Sequence, residues 1–453
     1  MSRDRESAGS PPVGSVDDLV AWIRGAEKPR DAWRVGTEHE KVGLRADDLE
    51  PVPYEGERGI GALLERIARE DDWDRVFEGG NLLALEKDGT SITLEPGGQL
   101  ELSGAPLRTI FETCAEFHRH LELIRRVSEP LGLVWLGLGV NPLHAVERLP
   151  RMPRTRYDLM RAYLPGRGAL ALHMMHATAT VQANFDWCDE ADLAAKMRTA
   201  QGVTPLVSAI FANGSLVEGR PSGFASFRQH IWRHTDPDRC GLLPFVFEPD
   251  FGYARYVEWA LDVPMFFVLR RGRYLPARGT TFREFLARGF EGEPPTLADW
   301  DRHLTTLFPE VRLKRILEMR GADAVPPGLI CALPALWKGL LYDDAAREAA
   351  FGLVAALGMD ERQAALEAAA RRGLSSEVAG IPVLSLAKEL VAIASEGLRR
   401  IAHGRGERAD ERGFLEPVLE VLERGRSPGE EILWRWEGEW QGSVARLIEY
   451  ARY

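Results

Sequence analysis

Glutamates 38, 40, 95 and 101 are the residues of this 453-residue chain whose type and spacing most directly suggest chemistry. Glu38 and Glu40 sit two apart in Gly-Thr-Glu-His-Glu, within a stretch from Val35 to Leu44 that predicts a strand. Alternate side chains of a strand share a face, so the two carboxylates point the same way, about 7 Å apart. Glu95 closes a β-type run, Ser91 to Leu94. A Pro-Gly-Gly bend then leads to Gln99, Glu101 and Ser103 on one face and Leu100 and Leu102 on the other. Two strands with paired carboxylates suggest one acidic surface, and like charges gathered there repel unless a cation lies between them. Oxygen donors without sulfur or imidazole suit Mg²⁺ or Mn²⁺, and Mg²⁺ usually shares its shell with phosphate. The four together point to a divalent-metal, phosphate-handling site, although each glutamate alone is explained by a solvated face or an ion pair.

Polar and cationic stretches elsewhere could complement that surface. Thr178 to Trp187 alternates cleanly, with Thr178, Thr180, Gln182, Asn184 and Asp186 on one face; that face suits either solvent or the floor of a polar cavity. Val311 to Arg320 predicts another strand. Its alternate positions Arg312, Lys314, Glu318 and Arg320 set one carboxylate among three cations, as an exposed edge or a polyphosphate-binding face would. Arg228 and Trp232, four apart, share a face if the segment is helical. Arg grips a carboxylate with two parallel hydrogen bonds and Trp can wall the same pocket, but surface packing explains the pair equally. Arg151, Arg154 and Arg156 gather in a segment, 148–168, that reads as loop at first; it is a solvated cluster or an anion-binding loop.

The elements that must position these residues follow from periodicity. Ser15 with Asp18 marks the start of a helix from Val16 to Gly25; further helices are expected near Ile60 to Arg69 and from Pro106 to Ser128. Leu131 to Val140 and Met265 to Arg270 predict buried strands. From Leu329 on, apolar residues recur at helical spacing, a helical cover in which Trp434, Trp436 and Trp440 serve as packing anchors.

Composition limits the function classes. Lys plus Arg number 57 against 68 Asp plus Glu, a net charge of −11. That argues against nucleic-acid and anionic-membrane partners. Four scattered cysteines, Cys114, Cys188, Cys240 and Cys331, resemble neither a zinc site nor a secreted disulfide framework. Residues 1–14 are polar, lack the apolar core of a signal peptide and read as a disordered tail; the expected location is cytoplasmic.

The strings GTEHEKVGL (36–44), SITLEPGGQLELSGAPL (91–107), RYDLMR (156–161), TVQANFDW (180–187), SFRQHIWRHTDPDRCG (226–241) and LTTLFPEVRLKRILEMRGAD (304–323) resemble the plant-type glutamate–cysteine ligase family, which also has bacterial members. The resemblance runs in order from about residue 15 to the C-terminus. It implies an α/β (α+β) glutamine-synthetase-like fold, an antiparallel sheet funnel surrounded by helices, with a helical C-terminal region. One catalytic domain is expected over 15–453, its sheet core at about 31–325 and its helical cover at about 326–453. The implied reaction joins the γ-carboxylate of L-glutamate to the amine of L-cysteine through γ-glutamyl phosphate, with ATP as co-substrate and Mg²⁺ or Mn²⁺ as cofactor, the enzyme being a monomer or homodimer. By motif, Glu38, Glu40, Glu95, Glu101 and Glu318 would ligate metal, and Arg320 and Lys314 would act on the ATP phosphates. Arg156, Arg228 and Trp232 would hold glutamate, Gln182 and Asn184 would line the site, and Phe266 would stand by the acceptor where plant members have Tyr. That last departure leaves room for another small amine as acceptor; a non-catalytic glutamate or nucleotide sensor is the third reading. One plant cysteine pair is absent here. Cys114 and Cys331 match the other, and whether they meet or remain two buried thiols is open at this stage.

Overall fold

Strand β1 (Val35–Arg45) is the axis of the molecule, because three other strands pair along its length. The computed structural model describes residues 9–406 and 410–453. After β1 come β2 (Asp74–Glu78), β3 (Asn81–Lys87), β4 (Thr90–Leu94), β5 (Leu100–Ser103), β6 (Leu133–Leu136) and β7 (Val181–Phe185). Among the described residues they join a hairpin, Val311–Leu313 with Leu317–Met319, in a nine-stranded sheet ordered hairpin, β7, β1, β5, β4, β3, β2, with β6 on the far part of β1. Every pairing in this sheet is antiparallel.

One side of the sheet is apolar. Leu83, Leu85, Ile92, Leu100 and Leu102 are buried in one cluster with Leu63, Leu64 and Ile67 of helix α2 (Ile60–Glu70). Helix α3 (Ile110–Ser128) adds Leu123 and Ile124 to it. Each such side chain contributes roughly 1.5–3 kcal/mol on burial, which fixes which face of β5 turns inward and so which way Glu101 points. Thr109 caps α3 by accepting from Glu112 N at 3.2 Å, so the helix starts later than the expected Pro106.

Beyond β7 a second core gathers the N-terminal helix α1 (Val16–Arg24), through Leu19 and Ile23, with the later helices. Helices Ala332–Leu341 and Val383–Gly404 cross there backbone to backbone. A Cβ on Gly339 would lie 2.2 Å from the Ala394 carbonyl, and one on Gly397 would lie 2.0 Å from that of Gly339. Trp436 and Trp440 are buried in a third cluster with Leu136 and Leu138, whereas Trp434 is exposed. No described helix is long and apolar enough to cross a membrane.

Several expectations are corrected. The run from Val311 to Arg320 is a hairpin, and the 131–140 strand is confined to Leu133–Leu136. The 148–168 segment contains a helix, α4 (Thr155–Tyr163), because its prolines all flank rather than enter those residues. Residues 9–14 of the expected tail run beside 295–297: Val13 N donates to Pro295 O and Leu297 N to Pro11 O, both at 2.9 Å. The remainder of that tail, 1–8, lies outside the described residues.

Candidate active site

Strand register assembles the acidic cluster. Glu40 lies opposite Glu101, and Glu101 opposite Thr93. Glu95 is carried to them by the bend between β4 and β5, closed by Glu95 N to Gln99 O and Gly98 N to Glu95 O, both 2.9 Å. The bend needs its glycines: Gly98 has φ +83°, and a Cβ on Gly97 would lie 2.1 Å from the carbonyl of His176. As a result Glu40, Glu95 and Glu101 each offer an oxygen within 4.8 Å of the others. Ser103 Oγ donates to Glu101 at 2.6 Å and Thr93 Oγ1 at 3.1 Å, while Thr180 N donates to Glu40 at 3.1 Å.

Burial first, then the neighbouring carboxylates, pushes Glu40 up to about 8. Burial and then Glu40 push Glu95 to about 7, and burial and then Glu95 push Glu101 to about 7. Carboxylates that retain protons near neutrality are poised to exchange them for a cation. Glu38 sits opposite Ser103 on one side and Gln182 on the other, and accepts from Asn184 Nδ2 at 2.9 Å. Burial, then the charges of Glu318 and Glu101, raises it too.

A cationic cluster adjoins the acids. In the 311–319 hairpin Arg312 faces Glu318. Glu318 is 0 % exposed, with Arg312 and Arg320 each 2.6 Å from Oε1 and Lys314 2.6 Å from Oε2. Burial alone would raise this carboxyl, but Arg312, Lys314 and Arg320 outweigh it and hold it well below the usual range. Glu318, expected among the metal ligands, has both oxygens paired with these three cations. Arg320 also donates to Gln182 Oε1 at 3.0 Å.

Helix α5 (Phe227–Arg233) is capped by Ser226, which accepts from Gln229 N at 3.1 Å and donates to Asp323 at 2.8 Å. It presents Arg228 and Trp232 together, the guanidinium 5.8 Å from the indole centroid. Arg320 lies 5.4 Å from the same ring. Arg228 is 2 % exposed and gives Nη2 to the Arg320 carbonyl at 3.0 Å; its Nε and Nη1 have no hydrogen-bond partner, and Asp323 stands 3.9 Å from Nη1. Those two donors lie on different sides of the guanidinium, so beyond Nη2 the group offers single N–H donors and a buried positive charge to an anion. Arg156 projects from α4, which Tyr157 anchors by donating to Leu94 O at 2.6 Å.

These groups line one cavity of about 310 Å³: Glu38, Glu40, Glu95, Glu101, Gln182, Arg156, Arg228, Trp232, Lys314 and Arg320 all reach it, with Met160, Met174 and Met175 on an apolar wall. Asn184 and Glu318 stand outside its lining and touch groups that line it, Asn184 through Glu38 and Glu318 through the cations. Phe266 is also outside: it is buried under the Arg239 guanidinium, 4.0 Å from its ring, and Phe308 takes the cavity wall instead. Asp323 and Thr93 were not singled out from sequence. Asp323 was within reach of it, three residues after Arg320 in LEMRGAD; Thr93 is brought opposite Glu101 only by register.

An antiparallel sheet carrying a carboxylate cluster beside an arginine cluster in one cavity has the layout of a carboxylate–amine ligase. The profile of glutamate-cysteine ligase family 2 (GCS2) matches residues 34–450, and the chain belongs to that family. It is 44% identical over 439 residues to the chloroplastic glutamate–cysteine ligase of Medicago truncatula, covering 96% of this chain and 85% of that one. It is likewise 44% identical over 440 residues to the Arabidopsis thaliana enzyme, covering 96% and 83%. Among solved structures, the glutamate–cysteine ligase of Francisella tularensis in complex with AMP shares the fold, with a TM-score of 0.51 over 92% of this chain and 88% of that one at 12% identity.

Proposed function

We propose that this chain joins the γ-carboxylate of L-glutamate to the amine of L-cysteine, converting ATP to ADP and phosphate and supplying γ-glutamylcysteine for glutathione synthesis. Family membership supports the reaction. The observation that carries the chemistry is a single cavity lined both by carboxylates and by Arg228, Lys314 and Arg320.

The donor set fits a hard divalent ion: three carboxylates within 4.8 Å of one another, without sulfur or imidazole. Glu40, Glu95 and Glu101, with Glu38 nearby, would hold Mg²⁺ or Mn²⁺, which supplies charge neutralisation at phosphate oxygens. The chain does the rest. Arg320 and Lys314, fixed by Glu318, direct positive charge at the transferring phosphoryl group as γ-glutamyl phosphate forms. Arg228 offers single N–H donors and a buried positive charge to a substrate carboxylate, with Trp232 packing its guanidinium and Arg156 as a second cation. Gln182 orients Arg320, and Asn184 orients Glu38. The methionine wall keeps water from the acyl phosphate, which would otherwise hydrolyse. The cysteine amine then attacks the acyl carbon and phosphate leaves. Residues 15–453 act as one catalytic unit in the cytoplasm, where all three substrates occur.

The test is ADP release with each substrate omitted in turn. Turnover is expected only when ATP, glutamate, cysteine and Mg²⁺ are all present. Equal turnover with other small amines in place of cysteine would overturn the acceptor assignment, and binding of ATP and glutamate without turnover would overturn the reaction.

A further inference from the structure

Outside the cavity, the described residues bring another set of metal-ligating side chains together. Cys114 of α3 and Cys331, at the junction between helices Pro327–Ile330 and Ala332–Leu341, are joined by a disulfide with their Cα atoms 5.6 Å apart. His118 lies one helical turn beyond Cys114, on the same face of α3. The two sulfurs and a ring nitrogen of His118 all lie within 4.8 Å of one another. Cys331 is buried, Cys114 half-buried and His118 exposed, so an ion can approach from solvent on the histidine side.

We propose that, once the disulfide is opened, Cys114, His118 and Cys331 form a three-ligand site for a thiophilic divalent ion, Zn²⁺ or Cd²⁺. Two thiolates and an imidazole are a donor set for such ions and a poor one for Mg²⁺. Tetrahedral binding at ordinary Zn–S lengths places the sulfurs roughly 3.8 Å apart, which side-chain rotation about these Cα positions can supply. Opening takes two electrons from a dithiol or a phosphine. The S–S bond breaks and both sulfurs become thiols, while the dithiol closes to its own disulfide or the phosphine takes oxygen from water. Binding then replaces the two thiol protons, which pass to solvent, and water fills the fourth position. The same two segments are thereby held together by a covalent bond under oxidising conditions and by an ion under reducing ones.

Since the carboxylate cavity also takes divalent ions, the readout must be specific for sulfur. Full-length protein, reduced with a phosphine and freed of it without air, is titrated with Co²⁺ and followed by its thiolate-to-metal charge-transfer absorption. The reduced protein is expected to show the band at one ion per chain, Zn²⁺ to abolish it, and the oxidised protein to lack it. Cys331→Ser should remove the band, and His118→Ala should weaken Co²⁺ binding by no less than roughly tenfold, the lower range for losing even a supporting contact at a metal. Absence of the band in reduced wild type, its persistence in Cys331→Ser (which would point to Cys188 or Cys240), or unchanged affinity in His118→Ala would each overturn the proposal. His118 is exposed, so its variant remains decisive if the cysteine variant does not fold.

Discussion

At the scale of single residues, the site separates groups that face the cavity from groups that hold them. Arg228 is the sharpest case, because its fully buried guanidinium spends only Nη2 on the protein backbone and leaves Nε and Nη1 directed elsewhere. Lys in its place would keep the charge but lose the planar guanidinium with its several fixed donors. Arg228→Lys is expected to cost about 2 kcal/mol of glutamate binding, roughly thirtyfold in the KM for glutamate, with little change in that for ATP. Steady-state kinetics with each substrate varied would show this; an equal rise for both would mean that Arg228 acts on the fold rather than on glutamate. The types and spacings of Glu38, Glu40, Glu95 and Glu101 were legible because period-two alternation in a strand is a strong signal. The setting of Glu318 among three cations was legible too, since Arg312, Lys314 and Arg320 share its parity; which oxygen each cation takes was not, because that depends on the fold of the hairpin.

At the scale of elements, β7 was readable because its polar face alternates without interruption, whereas β1 is polar on both faces from Thr37 to Lys41 and was read from Glu38 and Glu40. The 311–319 hairpin escaped because Lys314, Arg315 and Ile316 carry none of the usual turn residues. Its functional face was nonetheless correctly paired, because Arg312, Lys314, Glu318 and Arg320 have the same parity on one strand or two. The α4 helix escaped because prolines on either side of it read as loop. Helix-to-helix contact in the C-terminal cover depends on two glycines that no periodicity reveals. Gly339→Ala would set a methyl 2.2 Å from the Ala394 carbonyl and force the helices Ala332–Leu341 and Val383–Gly404 apart. A loss of about 1–3 kcal/mol is expected in urea unfolding. A variant as stable as wild type would show that the crossing relaxes without cost.

At the scale of the whole molecule, a chain of net charge −11 concentrates cations where an anionic substrate must dwell, so global charge and local chemistry diverge. Its response to pH outside the site rests on buried histidines. Burial lowers His303 to about 4 despite the Ala260 carbonyl at 2.7 Å, and burial together with Arg161 lowers His176 to about 4; His39 and His120 shift the same way. An unfolded histidine takes its proton below the ordinary value near 6.5, while folded His303 and His176 resist until about 4. Between those limits the unfolded state binds more protons, so stability is full above about pH 6.5 and is withdrawn as pH falls toward 4. His303 contributes at most about 3 kcal/mol of that loss. Urea unfolding at about pH 7 and about pH 5 should therefore give a smaller difference for His303→Gln than for wild type; equal differences would assign the acid sensitivity elsewhere.

The convergence of Glu40, Glu95 and Glu101 from separate segments, which we propose closes on one ion, is the feature on which the mechanism turns. Its most direct test is a Mn²⁺ titration followed by electron paramagnetic resonance, comparing wild type with Glu40→Gln, Glu95→Gln and Glu101→Gln at equal protein concentration and verified folding. Each substitution is expected to weaken the same Mn²⁺ site by on the order of tenfold or more and to depress ADP release with it. Mn²⁺ affinity and turnover left unchanged by all three would contradict a shared cation site in this cavity.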